Sequence, residues 1–280
     1  MGLSCVRRSS PRPPRCKVPD PSKADSISKI EPRRNLAREA WLAAAAGTRW
    51  IPPPHREAGT SPDEYARALE FLPLAGLIAG VALALVDRAL APLSSAPARS
   101  AITIAVAVLL SGGIFPIGVA RTVDTLIAGT PADDNARRTR WLGALAALLM
   151  IAMEVFALGA IAGAPARARA LVLAMLLSRW AIVPIGYGLR PLEESGLGIP
   201  YFGGLTFAEF AISSVIALGI AMGLYDVIGL AAIVAVALAI LGLRLLLSRR
   251  LVGVGGNALA AAAAVCELVT LAVLAALSGI

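Results

Sequence analysis

Residues 111–124 read SGGIFPIGVARTVD and close a long apolar run that begins at Ala101. Two adjacent glycines, a proline, an arginine and an aspartate follow each other where a membrane segment meets a polar loop. Glycine lets a backbone or a ligand approach closely, and a charged residue at such a border is by default a candidate functional group. The stretch therefore predicts a specialised helix end. A kinked end whose charges reach outward is the alternative.

The composition is that of a membrane protein. The chain has 280 residues, of which 58% are hydrophobic and 16% charged, whereas a soluble domain carries about 25% charged residues. The apolar runs are continuous and rich in Ala and Leu, which excludes the alternating pattern of a barrel. We predict an all-α, polytopic membrane bundle of about seven transmembrane helices. The expected spans lie near residues 71–86, 101–120, 141–163, 170–189, 207–224, 228–247 and 258–279.

The chain divides into two predicted regions, a basic tail at residues 1–40 and a membrane-embedded domain at residues 41–280. The tail holds ten Lys and Arg residues against four acids, which gives +6 of the net charge of +8. Its Pro and Ser content predicts disorder. A solvated tail, a patch for anionic lipid and an upstream extension of little consequence all remain open. No aromatic residue lies among the arginines, so nucleic-acid binding is not expected.

The loop charges predict an orientation for the bundle. Lys and Arg residues are enriched in short cytoplasmic loops. A cytoplasmic N-terminus, in the bacterial inner membrane, puts seven arginines in cytoplasmic loops and four in the opposite loops. The seven are Arg121, Arg137, Arg138, Arg140, Arg190, Arg249 and Arg250, and the four are Arg88, Arg99, Arg167 and Arg169.

Three loops with unusual polar content then share the cytoplasmic face with Arg49, at residues 121–140, 190–206 and 248–257. Glycines before a helix can expose backbone N–H groups to an anion. The candidate binding residues of the last two loops are Arg190, Gly196, Gly198, Gly255, Gly256 and Asn257.

A few polar residues fall within or at the start of the apolar spans: Glu154, Arg179, Glu209 and Glu267. Because such groups are costly in lipid, we expect each to face the bundle interior, where internal ion pairs are the alternative to a functional role. Gly76 and Gly80 lie four residues apart and predict a smooth helix face for close packing. The single histidine and three cysteines disfavour zinc or haem, so a metal would be a hard ion bound by oxygen.

Five segments, in order, resemble the signatures of the cobalamin synthase family, the adenosylcobinamide-GDP ribazoletransferases. They are TRWIP at 48–52, EYAR at 64–67 with FLPLAGLIAG at 71–80, SR at 178–179, EESGLG at 193–198, and LVGVGGNAL at 251–259 followed by Glu267-Leu268. The resemblance runs from about Ala43 to Leu277. It implies that ribazole, or its 5′-phosphate, attacks the pyrophosphate of adenosylcobinamide-GDP, releases GMP and completes cobalamin.

The family's central motif, Gly-Gly-x-His-x-Asp-Gly-x-x-Asp-x-x-Asp-Gly, is only partly kept. Gly112, Gly113, Gly118 and Asp124 match it, whereas Phe115 stands for the histidine, and Ile117 and Arg121 stand for two aspartates. The resemblance implies a Mg²⁺ ion, for which Asp124 and Glu267 are the remaining ligands. It also implies catalytic roles for Asp124, Arg121, Arg49 and Arg179, and substrate contacts from the glycines.

Several functions stay open after this comparison. The first is an active, divergent ribazoletransferase that binds corrinoid and nucleotide-type substrates in a lipid environment. The second is a catalytically inactive membrane relative that binds a corrinoid or a protein partner. A CDP-alcohol phosphotransferase is a weaker alternative, because residues 117–121 lack the aspartate and the spacing of its Asp-Gly-x-x-Ala-Arg signature. A transporter is also weaker, because the Gly and Arg motifs cluster on one face and not at the midplane. The sequence leaves the oligomeric state open, a homo-oligomer included.

Overall fold

The computed structural model describes residues 36–48, 62–92, 95–128, 136–188, 205–250 and 253–277. Within these ranges the regular elements are helices, as the composition predicts. They are α1 (Leu36–Gly47), α2 (Pro62–Ala68), a short 3₁₀ turn (Leu69–Phe71), α3 (Leu72–Leu90), α4 (Ala96–Leu110), α5 (Ile114–Ala128), α6 (Ala136–Ala160), α7 (Ala164–Gly186), α8 (Phe207–Arg250) and α9 (Gly256–Leu277). The predicted tail at 1–40 lies outside the described residues up to residue 35, and α1 begins at Leu36.

Six helical segments of the described chain are long and apolar enough to cross a membrane. They are Tyr65–Leu90, Trp141–Ala160, Ala164–Gly186, Phe207–Tyr225, Ile228–Arg250 and Gly256–Leu277. Large apolar side chains such as Ile78, Phe156 and Val215 lie exposed on the outside, as expected for lipid-facing surfaces. The prediction of a polytopic helical membrane bundle is confirmed.

The predicted span at 101–120 is not one straight helix. The structure divides it into α4 and α5, which are bent by 82° at a break after Leu110. Counting this bent pair as one span gives up to seven spans. Hydropathy alone cannot detect the break, because the residues on both sides of it are apolar.

Helix α7 is the centre of the bundle. Every residue from 170 to 183 is buried, because this segment is apolar apart from Ser178 and Arg179 and other helices surround it. Helices α3, α8 and α9 pack directly on it. Pro165 lies in the first turn, where the missing backbone N–H costs no hydrogen bond.

Helix α8 is a hairpin of two membrane segments, here named α8a (Phe207–Tyr225) and α8b (Ile228–Arg250). A Cβ atom on Gly229 would lie 2.6 Å from the carbonyl oxygen of Ala221. In a straight helix these positions are about 12 Å apart along the axis, so the chain must fold back. Trp180 Nε1 donates to Ser214 Oγ at 3.1 Å, and the Tyr225 hydroxyl donates to the carbonyl of Ala166 at 2.9 Å.

Those contacts place α8a antiparallel to α7. The returning segment α8b then reaches the end of α7, where Arg244 Nη1 donates to the carbonyl of Tyr187 at 2.7 Å and to that of Pro184. An arginine here satisfies carbonyl groups that the helix end leaves without an intrahelical partner.

Glu209 differs from its predicted interior position. It is half-exposed, and its carboxylate accepts the backbone N–H of Thr206 at 2.8 Å, while the Thr206 hydroxyl accepts the N–H of Ala208. This arrangement is a capping box, which satisfies the free N–H groups at the start of α8. The motif Thr-x-x-Glu at 206–209 was the sequence signal for it.

Candidate functional site

The break at residues 111–113 is a glycine-terminated helix end. The N–H of Gly112 donates to Leu109 O at 2.8 Å, and that of Gly113 donates to Val108 O at 2.9 Å. This pair of bonds defines a Schellman motif, which requires a left-handed residue after the helix. Gly112 and Gly113 have φ values of 64° and 73°, which side chains with a Cβ rarely adopt. The two glycines therefore set the direction in which α5 leaves α4.

The end of α1 is tied to this break. The hydroxyl of Thr48 donates to the carbonyl of Leu110 at 2.8 Å, a group that the broken helix can no longer pair internally. Thr48 is the first residue of the TRWIP segment, so two of the predicted motifs meet here. Arg49 itself lies outside the described residues.

Arg179 on α7 is a buried charged residue of the predicted site, with 5% of its surface exposed. Its Nη1 donates to the Ser178 hydroxyl at 2.9 Å and lies 3.9 Å from Oε2 of Glu267 on α9. Its guanidinium carbon also lies 3.9 Å from the centre of the Phe115 ring, a cation–π contact between α7 and α5. We call Phe115, Glu154, Ser178, Arg179 and Glu267 the Arg179 cluster.

The Arg179 cluster confirms that Arg179, Glu154 and Glu267 face the interior. It also joins three segments that are far apart in the sequence, namely the central motif, the SR pair and the Glu-Leu pair near the C-terminus. A small cavity of about 20 Å³ lies among them, lined by Ser111, Phe115, Glu154, Arg179 and Glu267 together with apolar residues. This volume holds about one water-sized group.

Glu154 on α6 is the member of the cluster that has the fewest partners. Only 5% of the residue is exposed, and no described residue forms a hydrogen bond with its carboxylate. Arg179, by contrast, is paired with Glu267. Glu154 therefore lines the cavity as a polar group without a hydrogen-bond partner among the described residues.

Close packing of α3 against α7 fixes the position of Arg179. A Cβ atom on Gly76 would lie 2.4 Å from Met175 O and 2.9 Å from Arg179 Cγ. One turn later, a Cβ on Gly80 would lie 2.6 Å from Val172 Cα. The smooth face predicted from these two glycines is therefore confirmed as the contact surface with α7.

Asp124 lies at a second place, between α5 and α6. Its Oδ1 accepts the backbone N–H of Gly143 at 3.1 Å. A Cβ on Gly143 would lie 2.2 Å from Ala120 O and 2.5 Å from Asp124 Oδ1, so the two helices can meet here only at a glycine. Asp124 therefore connects α5 to α6 through this hydrogen bond.

Gly118 brings α5 to the start of α9. A Cβ at this position would lie 2.6 Å from Ala260 Cβ and 2.9 Å from Asn257 O. Gly118 and Asn257, both predicted substrate contacts, therefore lie against each other. Gly255 and Gly256 lie at the same helix start, where Gly255 O accepts the N–H of Ala258 at 3.0 Å.

The structure does not bring Asp124 and Glu267 together. Asp124 contacts Gly143, whereas Glu267 lines the cavity with Glu154, and these two positions of α6 are about 16 Å apart along the helix. Mg²⁺ ligands lie about 2.1 Å from the ion. Within the described ranges, no group of three or more His, Cys, Asp or Glu side chains could hold a metal ion. The described carboxylates therefore do not fit a Mg²⁺ site shared by Asp124 and Glu267.

The other predicted residues are placed as follows. Arg121 is exposed on α5 and is not part of the Arg179 cluster. Arg190, Gly196 and Gly198 fall outside the residues that the structure describes.

A buried ion network around Asp87 was not predicted. Arg167 donates to both carboxylate oxygens of Asp87, at 2.7 and 3.2 Å, and to Ser100 Oγ at 3.0 Å. Arg99 Nε lies 3.2 Å from the same carboxylate. Arg99 and Arg167 were counted as loop charges, but both pair with Asp87, and Arg167 is only 2% exposed. The sequence signal was Asp87 in the last turn of an apolar helix, together with Arg99 and Arg167, which have no acidic residue close to them in the sequence.

The chain is similar to known proteins over most of its length. Residues 39–275 match the family model described as cobalamin-5-phosphate synthase. An adenosylcobinamide-GDP ribazoletransferase of Escherichia coli O45:K1 (strain S88 / ExPEC) is 30% identical over 250 residues, which cover 84% of this chain and 98% of the relative. The enzyme of that name from Escherichia coli O157:H7 is also 30% identical over 250 residues, with the same coverage.

The enzyme of that name from Escherichia coli strain K12 is 29% identical over 249 residues. No solved structure matches the chain. The match covers nearly the whole length of these relatives. In the structure, three of the motifs that predicted the family meet at Arg179. The chain belongs to the cobalamin-5-phosphate synthase family.

Proposed function

We propose that this protein joins α-ribazole, or its 5′-phosphate, to adenosylcobinamide-GDP and releases GMP. The observation that carries this proposal is the Arg179 cluster, in which three family motifs meet at one buried arginine beside a small cavity that Glu154 and Glu267 also line. The similarity to proteins named adenosylcobinamide-GDP ribazoletransferase, over 84% of this chain, supports it. The substrates would be corrinoid and nucleotide-type molecules, and the protein would act within a membrane.

The proposed reaction needs positive charge beside a pyrophosphate. Phosphoryl transfer depends mainly on positioning and on neutralising the charge that moves to the leaving group. Arginine suits this task because its guanidinium binds phosphate oxygens in a two-pronged manner. Arg179 would supply charge from inside the bundle. Arg121, exposed on α5, would supply it from outside the cluster, and Arg49, which follows Thr48 in the sequence, is a further candidate.

The resemblance implies Mg²⁺, which would neutralise pyrophosphate charge when bound. The described residues do not fit such an ion, because Phe115, Ile117 and Arg121 occupy three motif positions and Asp124 lies apart from Glu267. An arginine at position 121 would also repel a divalent cation. We therefore assign no step to a metal, and give the charge-neutralising role to the arginines.

A second candidate, a catalytically inactive relative that binds a corrinoid or a protein partner, is favoured by those same three replacements. Expression in a bacterial strain that lacks its own ribazoletransferase separates the two. The proposal predicts cobalamin-dependent growth with the unaltered chain and none with Arg179→Ala at equal expression. Failure of the well-expressed chain, with growth only after Ile117→Asp and Arg121→Asp, would establish the inactive relative instead.

We also propose that the protein lies in the bacterial cytoplasmic membrane with its N-terminus in the cytoplasm. The support is the distribution of loop arginines between the two faces of the membrane. This distribution becomes more uneven once the arginines that pair with Asp87 are set aside. Of the four arginines counted on the opposite side, Arg99 and Arg167 pair with Asp87 inside the bundle, whereas Arg88 and Arg169 lie exposed. This orientation puts the loop at 253–256 and Arg121 on the side where water-soluble nucleotides are available.

A further inference from the structure

A second, larger space adjoins the Arg179 cluster. It is a groove of about 260 Å³ between α1, α3, α4 and α7. Its walls are mostly apolar and are formed largely by small side chains, among them Ala75, Ala79, Ala82 and Ala107. Binding pockets for drug-sized ligands measure about 300–1,000 Å³, so this groove suits a single small ring system.

The groove and the small cavity are neighbours. Ala107, Ser111, Met175 and Arg179 line both of them. A ligand that lies in the groove would therefore point one end at Arg179 and, beyond it, at Glu154. The combined space has an apolar half and a half that contains one arginine and two carboxylates.

This polarity matches one of the two proposed substrates. The base of ribazole is a dimethylbenzimidazole, which is flat and apolar, and its ribose carries hydroxyl groups. The corrinoid substrate is too large for the groove. We propose that the groove and cavity together form the acceptor site, where the base lies among the alanines and Glu154 accepts the proton of the attacking ribose hydroxyl.

Glu154 is suited to this role by its surroundings. Arg179 already pairs with Glu267, whereas the carboxylate of Glu154 has no hydrogen-bond partner among the described residues and lines the cavity. A general base must lie within hydrogen-bonding reach of the hydroxyl that it deprotonates. Among the described carboxylates, Glu154 combines a free hydrogen-bonding capacity with a position next to Arg179.

Transfer of the cobinamide phosphate to the ribose hydroxyl needs no further reactant. The ribose hydroxyl oxygen forms a bond with the phosphorus that carries the cobinamide. The bond from that phosphorus to the bridging oxygen breaks, and GMP leaves with its electron pair. The hydroxyl proton passes to Glu154, which later returns it to water. Arg179 stabilises the charge that gathers on the phosphate oxygens.

The inference rests on the proposed function, and two variants with one control test it. Ala79→Leu fills the groove, and Ala105→Leu adds the same bulk at an exposed position of α4. We expect Ala79→Leu to raise the KM for ribazole about tenfold and to leave the KM for adenosylcobinamide-GDP within about twofold, with Ala105→Leu unchanged. Equal KM values for ribazole in both variants would overturn the groove assignment.

Glu154→Gln tests the proton acceptor. We expect kcat to fall about 100-fold or more with little change in either KM, and Glu154→Asp to recover part of the loss. Full turnover by Glu154→Gln would overturn this role while leaving the proposed function intact. Absence of turnover by the unaltered chain would instead reject the proposed function, and the acceptor site with it.

Binding provides a readout that needs no turnover. Dimethylbenzimidazole should bind saturably to the purified full chain in lipid nanodiscs and to Ala105→Leu with the same affinity, and about tenfold more weakly to Ala79→Leu. If the base does not bind, and a phospholipid retained by the unaltered chain is lost in Ala79→Leu, the groove is a lipid site and the acceptor assignment is wrong.

Discussion

At the scale of single residues, Arg179 shows what sequence reasoning could and could not establish. A charged residue inside an apolar span has to face the interior, and the structure places Arg179 there with Glu267. The sequence could not identify Phe115 as its third partner, because that contact depends on how α5 leaves the helix break. Asp87 escaped prediction for the same kind of reason, since its partners are 12 and 80 residues away.

Replacing either glycine of the break should destabilise the fold. In Gly112→Ala and Gly113→Ala the new Cβ would be held at a positive φ, which costs about 1–2 kcal/mol. Thermal unfolding in detergent should therefore begin at a lower temperature in both variants. Gly219→Ala is the control, because this helical glycine has open space around it and alanine favours a helix. Equal stability of all three variants would argue against the left-handed conformation.

Removing Asp87 should lower the free energy of unfolding more than replacing Gly112 or Gly113 does. Asp87→Ala leaves Arg167 buried without its carboxylate, a change that typically costs about 3–5 kcal/mol. Adding Arg167→Met should recover much of this loss, because the uncompensated charge is then gone. Arg88→Ala, at an exposed position of the same helix, should change the unfolding temperature little. Additive losses in the double variant would contradict a direct pairing.

At the scale of elements, the sequence predicted the positions of the helices and the two spans that form the α8 hairpin, but not the break between α4 and α5. Apolar runs identify membrane helices because lipid demands about 20 apolar residues. Hydropathy also predicts one span at residues 101–120, because Ser111, Gly112 and Gly113 hardly lower the mean hydropathy of this segment. The glycine pair was the signal, but only the hydrogen bonds to Val108 and Leu109 show that it ends a helix.

The contact between α3 and α7 gives a prediction at this scale. Gly76→Leu should push α7 away from α3, because even a Cβ would lie within 2.4 Å of the Met175 carbonyl. Overpacking of this kind costs about 1–3 kcal/mol or more, and it should also displace Arg179. Ile78→Leu is the matched control, since Ile78 is 71% exposed on the same helix. We compare the unfolding temperatures of Gly76→Leu and Ile78→Leu and their growth complementation. Equal results for the two variants would contradict close packing of α3 on α7.

At the scale of the whole molecule, the family and the membrane architecture were both accessible from the sequence. The order of the motifs predicted the family, and hydropathy predicted the membrane architecture. The separation of Asp124 from Glu267 could not be foreseen, because motif spacing along the chain does not report distance between helices. The orientation remains a prediction from loop charge.

Labelling with a membrane-impermeant maleimide tests that orientation. With the N-terminus in the cytoplasm, Cys5 and Cys16 should react only after the cells are opened. Cys266 is buried and should stay silent. Arg169→Cys places a reporter at an exposed position that we assign to the opposite face, and it should react in intact cells. Reaction of Cys5 and Cys16 in intact cells would reverse the assignment.

The most direct measurement is the release of GMP from adenosylcobinamide-GDP by the purified full chain in nanodiscs, with and without ribazole. The account predicts GMP formed in equal amount to the joined corrinoid product, only when ribazole is present, and at least about 100-fold less with Arg179→Ala. GMP release no greater than that of Arg179→Ala, from a chain that is folded and membrane-inserted, would contradict it.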